Sequence, residues 1–183
     1  MKIYAVRHGH TKMNKAELIN GQIDDDPLLE EGIEHVKAAL SSMPAGITHM
    51  YVSPLKRTRQ TADILDNGKN IPKTFHDELM EIHFGEYQGG PYFTDEALKK
   101  KHRALQYDYG PTGEHAGQVR NRLLSFLSNI HRKHADNEAI IVTHGGIIRM
   151  LADMNGAGPL GDIKNASLHE FDVENILKRH GVL

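Results

Sequence analysis

Three short runs limit most what this chain can become: "KIYAV" at 2–6, "THMYVS" at 48–53 and "EAIIVTHGG" at 138–146. Each is apolar and β-branched, shorter than a buried helix needs, and each ends in a polar or glycine-containing turn. Helical patterns follow. In "LLEEGIEHVKAALSSM", Leu29, Ile33, Val36 and Leu40 recur at helical spacing. "SPLKRTRQTADIL" opens on a Ser-Pro start signal and predicts a helix through Leu65. "PTGEHAGQVRNRLLSFLSNIHRKH" places Val119, Leu123, Phe126, Leu127 and Ile130 on one face of a long helix. "GIIRMLADM" predicts another, and the alternating "SLHEFDV" a last strand. Strands alternating with helices predict an α/β fold: a mostly parallel sheet with helices on both faces.

Residues 71–113 break the rhythm, with a strand expected near 73–76, a glycine- and aromatic-rich loop, and a charged helix around 96–105. There are no internal repeats and no linker long enough to separate a pair of domains. Residues 1–183 are therefore expected to form one domain, with 71–113 as an insertion over the active site.

Lys plus Arg total 22 against 24 Asp plus Glu, so no basic excess points to nucleic acid or an anionic membrane surface. Any anion site must be a local cluster of cations. Cysteine is absent, which removes disulfides and thiolate metal sites. No apolar run approaches the ~18 residues of a membrane span, and the first residues enter a strand without a leader-like region. A soluble, cytoplasmic protein is expected; the sequence says nothing of its oligomeric state.

In a parallel sheet the strand C-termini share one edge, where ligands bind. Arg7, His8 and Gly9 follow Val6; Ser53 follows Val52, with Arg57 in the next helical turn; Thr143, His144, Gly145 and Gly146 follow Val142. Two arginines and two histidines thus converge from three strands. Two cations ~5 Å apart repel by roughly 3 kcal/mol at an effective dielectric near 20, so such a cluster implies a multiply charged anion. The planar arginine fork suits phosphoryl oxygens, and helix N-termini expected after His8 and His144 would add donors. One histidine must be neutral to attack phosphorus while the other stabilises the transferring group, and neighbouring cations favour the neutral form. A separate acid must protonate the leaving oxygen; "DELMEIHFGEYQGG" offers Glu78, Glu81 and Glu86.

These residues resemble the histidine phosphatase superfamily, in its phosphoglycerate mutase-like branch. "RHGHT" at 7–11 with Asn14 is similar to the nucleophile motif, and "GQIDDDPLLEEG" to a glycine–aspartate–proline segment, with one additional residue. "YVSPLKRTRQTA" resembles the second arginine block, "LMEIHFGEYQG" the acid block, "PTGEH" with Arg122 the start of the long helix, and "VTHGGIIRML" the second histidine block. "NAS" at 165–167 resembles the segment before the last strand. The likeness runs through nearly the whole chain, in order. It implies a three-layer α/β/α sandwich and phosphoryl transfer through a phosphohistidine on His8. Arg7 and Arg57 would grip the phosphoryl oxygens, His144 would stabilise the transferring group, and Glu81 would act as acid and then base. Thr11, Asn14 and Gly145 would line the phosphate pocket, with Glu114, His10 and His115 near the substrate. The implied partner is a small phosphorylated metabolite, with no metal or cofactor required. Mutases of the family generally carry more residues between the arginine block and the long helix, which favours hydrolysis here.

His10 and His115 depart from the family pattern, which commonly has Glu or Gln at the first and Ser at the second. "HGH" is not read as a metal site, because the arginines would repel a cation. Asp24, Asp25 and Asp26 lack the ligand spacing of a calcium loop and read as a solvated turn. Residues 99–102 read as a solvated helix face, and Tyr87, Tyr92 and Phe93 as packing within the insertion.

Overall fold

The computed structural model describes residues 1–22, 26–134 and 138–183. Asp24 and Asp25 of the acidic turn lie outside the described residues. Five strands form one sheet: β1 (Lys2–Arg7), β2 (Ile47–Val52), β3 (Lys73–Phe75), β4 (Glu138–Thr143) and β5 (Leu168–Asp172), in the order β3-β2-β4-β1-β5. All neighbours are parallel except β1 and β5. The helices are α1 (Lys12–Lys15), α2 (Glu30–Ala39), α3 (Lys56–Asp66), α4 (Glu96–Arg103), α5 (Ala116–His134), α6 (Gly145–Met154) and α7 (Val173–Arg179).

Successive strand side chains point to opposite faces, and the buried residues sort accordingly. Ile3, Ala5, Tyr51, Ala139 and Ile141 enter the core with Leu123, Leu127, Ile148 and Ile176 of α5, α6 and α7. Tyr4, Val6, Met50, Val52, Ile140 and Val142 enter a second core with Val36, Ala62 and Leu65 of α2 and α3. The result is the expected three-layer α/β/α sandwich. It also explains why the central strands read as unbroken apolar runs.

Segment 71–113 departs from a plain insertion, because β3 completes one edge of the sheet. The remainder packs Leu79, Ile82, Phe84, Phe93, Leu105, Tyr107 and Tyr109 into the α5-side core. Helix α7 was not anticipated. Its signal is Asp172, whose side chain accepts from the Glu174 and Asn175 amides at 3.0 and 3.3 Å, an aspartate N-cap at the end of a strand. Among the described residues no helix is long and apolar enough to cross a membrane.

Candidate active site

The register sets the site. Val6 pairs with Val142 and Val142 with Val52, so the residues that follow emerge side by side: Arg7–His8, Thr143–His144 and Ser53. Gly9 permits the turn. A Cβ there would lie 2.8 Å from the Gly32 carbonyl oxygen and 2.9 Å from Val36 Cγ2, so the chain passes α2 too closely for a side chain.

His8 is buried, and its Nδ1 lies 2.7 Å from the Gly9 carbonyl oxygen. A carbonyl only accepts, so Nδ1 carries the proton and Nε2 the lone pair. Burial, then the Arg57 and Arg7 charges, push the His8 pKa well below its ordinary value. His144 is buried beside it, with 5.2 Å between ring centroids, and its Nε2 is 2.8 Å from Ser53 Oγ. Burial first, then Arg57, also lower its pKa. His144 Nδ1 is buried without a hydrogen-bond partner among the described residues, as is Arg7 Nε. Arg7 Nη1 donates to the Ile163 carbonyl. Arg57 is fully buried in the first turn of α3, and its Nη2 donates to the Gly21 carbonyl at 2.9 Å. Arg7, His8, Asn14, Arg57, Glu81, Phe84 and Tyr92 share the lining of one cavity of about 90 Å³.

Glu81 meets the start of α6. Its carboxylate accepts from the Gly146 amide at 3.3 Å and the Ile82 amide at 2.9 Å, as the positive end of a helix favours. Its carbonyl is held by Gln22 Nε2 at 2.6 Å and Arg122 Nη2 at 3.3 Å. Gly145 stands at the same helix start, where a Cβ would sit 3.4 Å from Arg7 Nε.

The other expected residues divide. Asn14 lines the cavity. Its Oδ1 accepts from Thr11 N, Thr11 Oγ1 and Asn165 Nδ2 at 3.2, 3.2 and 3.3 Å, which leaves Nδ2 as the end facing the cleft. Thr11 does not line it. Its fully buried hydroxyl is engaged with Asn14 and Asn20, so Thr11 caps α1 and orients Asn14. The N-terminus of α1 is also less open than expected, since Asp26 takes the Met13 amide at 2.7 Å and Thr11 the Asn14 amide. That bond gives Asp26 a structural place in the acidic turn.

Glu114 lies away from the Arg7–His8 cavity. It holds Arg122 through both oxygens, at 2.8 and 3.1 Å, and accepts from the His83 amide at 2.8 Å. His115 is exposed, and its Nδ1 accepts from the Gln118 amide at 3.4 Å, a helix-capping contact outside the cleft. His10 does reach the mouth, which it lines with Arg7, Asn14, Tyr92, Lys99 and Arg103; its Nδ1 is 3.3 Å from Glu31 Oε1.

One expectation of a solvated face and one of packing within 71–113 need correction. His102 is buried against Phe84, Phe93 and Tyr107, because α4 turns that face inward. Tyr92 is partly exposed and lines the cleft, whereas Phe93 packs as expected. Two residues were not assigned to the site at all. Ser53 was legible from its place after β2. Asn165, inside the "NAS" segment, donates to the His8 and Gly9 carbonyls at 2.9 and 3.3 Å. Among the described residues no three His, Asp or Glu side chains cluster as a metal site would require.

The chain is 30% identical over 183 residues to the metal-independent phosphoserine phosphatase of Arabidopsis thaliana, covering 92% of this chain and 74% of that protein. Its structure is similar to a phosphoglycerate mutase from Thermus thermophilus, with TM-score 0.77 and 28% identity over 94% of this chain and 93% of that one. It is also similar to YhfR from Bacillus stearothermophilus, with TM-score 0.79 and 27% identity over 92% and 89%. The family model of the histidine phosphatase superfamily, branch 1, matches residues 3–180. With that match and that fold, this chain belongs to the histidine phosphatase superfamily, in its phosphoglycerate mutase-like branch.

Proposed function

We propose that the protein is a phosphomonoesterase working through a phosphohistidine on His8, with a small phosphorylated metabolite as substrate and residues 1–183 acting as one domain. The observation that carries this reading is one cavity lined by half-buried Arg7, buried Arg57 and a buried imidazole whose Nε2 lone pair is available. The Arg7 Nε and His144 Nδ1 positions suit phosphoryl oxygens, since buried polar groups otherwise find protein partners.

In this reading His8 Nε2 attacks phosphorus and forms an N–P bond as the ester P–O bond breaks. Protonated Glu81 gives its proton to the leaving alkoxide. Glu81, now a carboxylate, takes a proton from water as that water attacks phosphorus and the N–P bond breaks. Inorganic phosphate and the alcohol leave, and Glu81 and His8 return to their starting states. Arg7, Arg57, His144 and Asn14 hold the transferring group, whose charge they offset in a site shielded from water. A cytoplasmic location is part of the same proposal.

Mutase activity is the second reading. Its support is the likeness to the Thermus protein described as a phosphoglycerate mutase, of which this chain covers 93%. A phosphate-release screen over phosphorylated metabolites, with His8→Ala as control, tests the proposal. Release that needs His8 supports hydrolysis. Label retained on an isomerised product, stimulated by 2,3-bisphosphoglycerate, supports the mutase. No turnover with either would leave a phosphate-binding module.

A further inference from the structure

Arg149 and His102 take no part in the steps above, yet they form a buried, hydrogen-bonded pair beside the cleft. Arg149 lies on α6, five residues after His144, and is 5% exposed. Its Nε donates to the Leu160 carbonyl at 2.9 Å, its Nη2 to the Gly161 carbonyl at 3.1 Å, and its Nη1 to His102 Nε2 at 3.2 Å. A guanidinium only donates, so His102 Nε2 is unprotonated and its Nδ1–H donates to the Tyr109 hydroxyl at 2.7 Å. Burial, then the Arg149 charge, hold that imidazole neutral, with its pKa lowered to about 3.

A buried cation held by neutral acceptors is costly, and where its bonds lead suggests why it is there. Residues 155–165 form no helix or strand, so side-chain tethers must shape them. Two residues beyond Gly161, the Ile163 carbonyl receives Arg7 Nη1. Four beyond, Asn165 holds the His8 and Gly9 carbonyls. Chain extends at most ~3.6 Å per residue, so fixing Gly161 confines Ile163 to a small volume. His102, on α4, steadies the guanidinium from the opposite wall.

We propose that Arg149, with neutral His102 as its acceptor, is a positioning residue for the phosphate grip, acting on Arg7 and on the His8 backbone through residues 160–165. This rests on the reading of Arg7 and His8 given above.

The test measures inorganic phosphate affinity and aryl phosphate turnover in the full chain for Arg149→Met, Arg7→Ala, the double variant, His102→Gln and His102→Phe. His8-dependent turnover by the unaltered protein checks the underlying reading separately. Arg149→Met should weaken phosphate binding ~10-fold, and adding it to Arg7→Ala should cost far less than that, since residues acting through one another are not additive. Glutamine can accept as His102 Nε2 does, so His102→Gln should stay within ~3-fold of the unaltered affinity while His102→Phe loses ~10-fold. Fully additive losses, or equal losses in both His102 variants, would overturn the proposal. If Arg149→Met does not fold, the His102 pair decides the matter alone.

Discussion

The imidazole rings of His8 and His144 stand 5.2 Å apart between centroids, tilted by 60°, and both are buried. Two charged rings at that distance, beside two guanidinium groups, would repel strongly. Burial first, and then this repulsion, hold both neutral, and in the proposed mechanism each offers a nitrogen to the phosphoryl group. In the proposed mechanism, replacing His8 removes the step that forms the covalent intermediate. His8→Ala should lower kcat on an aryl phosphate by about 10⁴-fold or more and abolish labelled phosphoenzyme trapped in alkali, where an N–P bond survives. Residual turnover above a tenth of the original would sink the assignment.

Stability should fall on mild acidification. The folded pKa values of His8 and His144 lie well below 6.5, and that of His102 is about 3. An unfolded chain would bind these protons near pH 6.5, so the stability is fully present above that value. It is lost as pH falls from there toward the folded pKa values, at up to ~1.4 kcal/mol per pH unit for each histidine. Urea unfolding midpoints between pH 7 and 5 check this, and His102→Gln should flatten the slope by about one proton. For the same reason the acid limb of kcat/KM should show no His8 titration near 6.5.

If Glu81 moves a proton as proposed, its effect should depend on the leaving group. Glu81→Gln should lower kcat by 10²–10⁴-fold on an alkyl phosphate and much less on a p-nitrophenyl ester, whose phenolate leaves without an acid. Equal losses on both esters would argue against the acid role.

Glu114→Ala should act through Arg122, not through the substrate. It leaves a half-buried guanidinium without its carboxylate while Arg122 still contacts the Glu78 and Glu81 carbonyls. A loss of ~2–3 kcal/mol in unfolding free energy is expected, with kcat reduced as Glu81 loosens and KM little changed. A rise in KM without loss of stability would return Glu114 to the substrate.

His10 lies between the cleft mouth and a groove of about 720 Å³ that it lines with His35, Lys164 and Asn165. His10→Gln should leave turnover of a small aryl phosphate within ~2-fold, as expected of a residue away from the reacting atoms, and change KM for esters with larger alcohols. An unchanged substrate preference across a metabolite panel would make His10 a surface residue.

The sheet, its flanking helices and the grip were legible in the sequence because their causes are local. An apolar run of five residues has few ways to be buried, and a parallel sheet sends the residues after Val6, Val52 and Val142 to one edge. Motif order singles out Glu81 over Glu78 and Glu86 for the proposed acid. The contacts of Thr11, Glu114, His115 and His102 could not be read from the sequence, for a common reason. Each is a polar residue near the motifs, and whether its polar atoms meet substrate, a helix end or another side chain depends on partners far along the chain. Glu114 meets Arg122 and the His83 amide; His102 meets Arg149. By itself the sequence determined the fold class, the two arginines and the two histidines, since hydrophobic periodicity and strand ends suffice for those. Only the tertiary structure decided which ring nitrogen of His8 is free, what holds Glu81 and which polar neighbours are braces. Hydrogen bonds are directional and burial is collective, and neither is written in the spacing of residues.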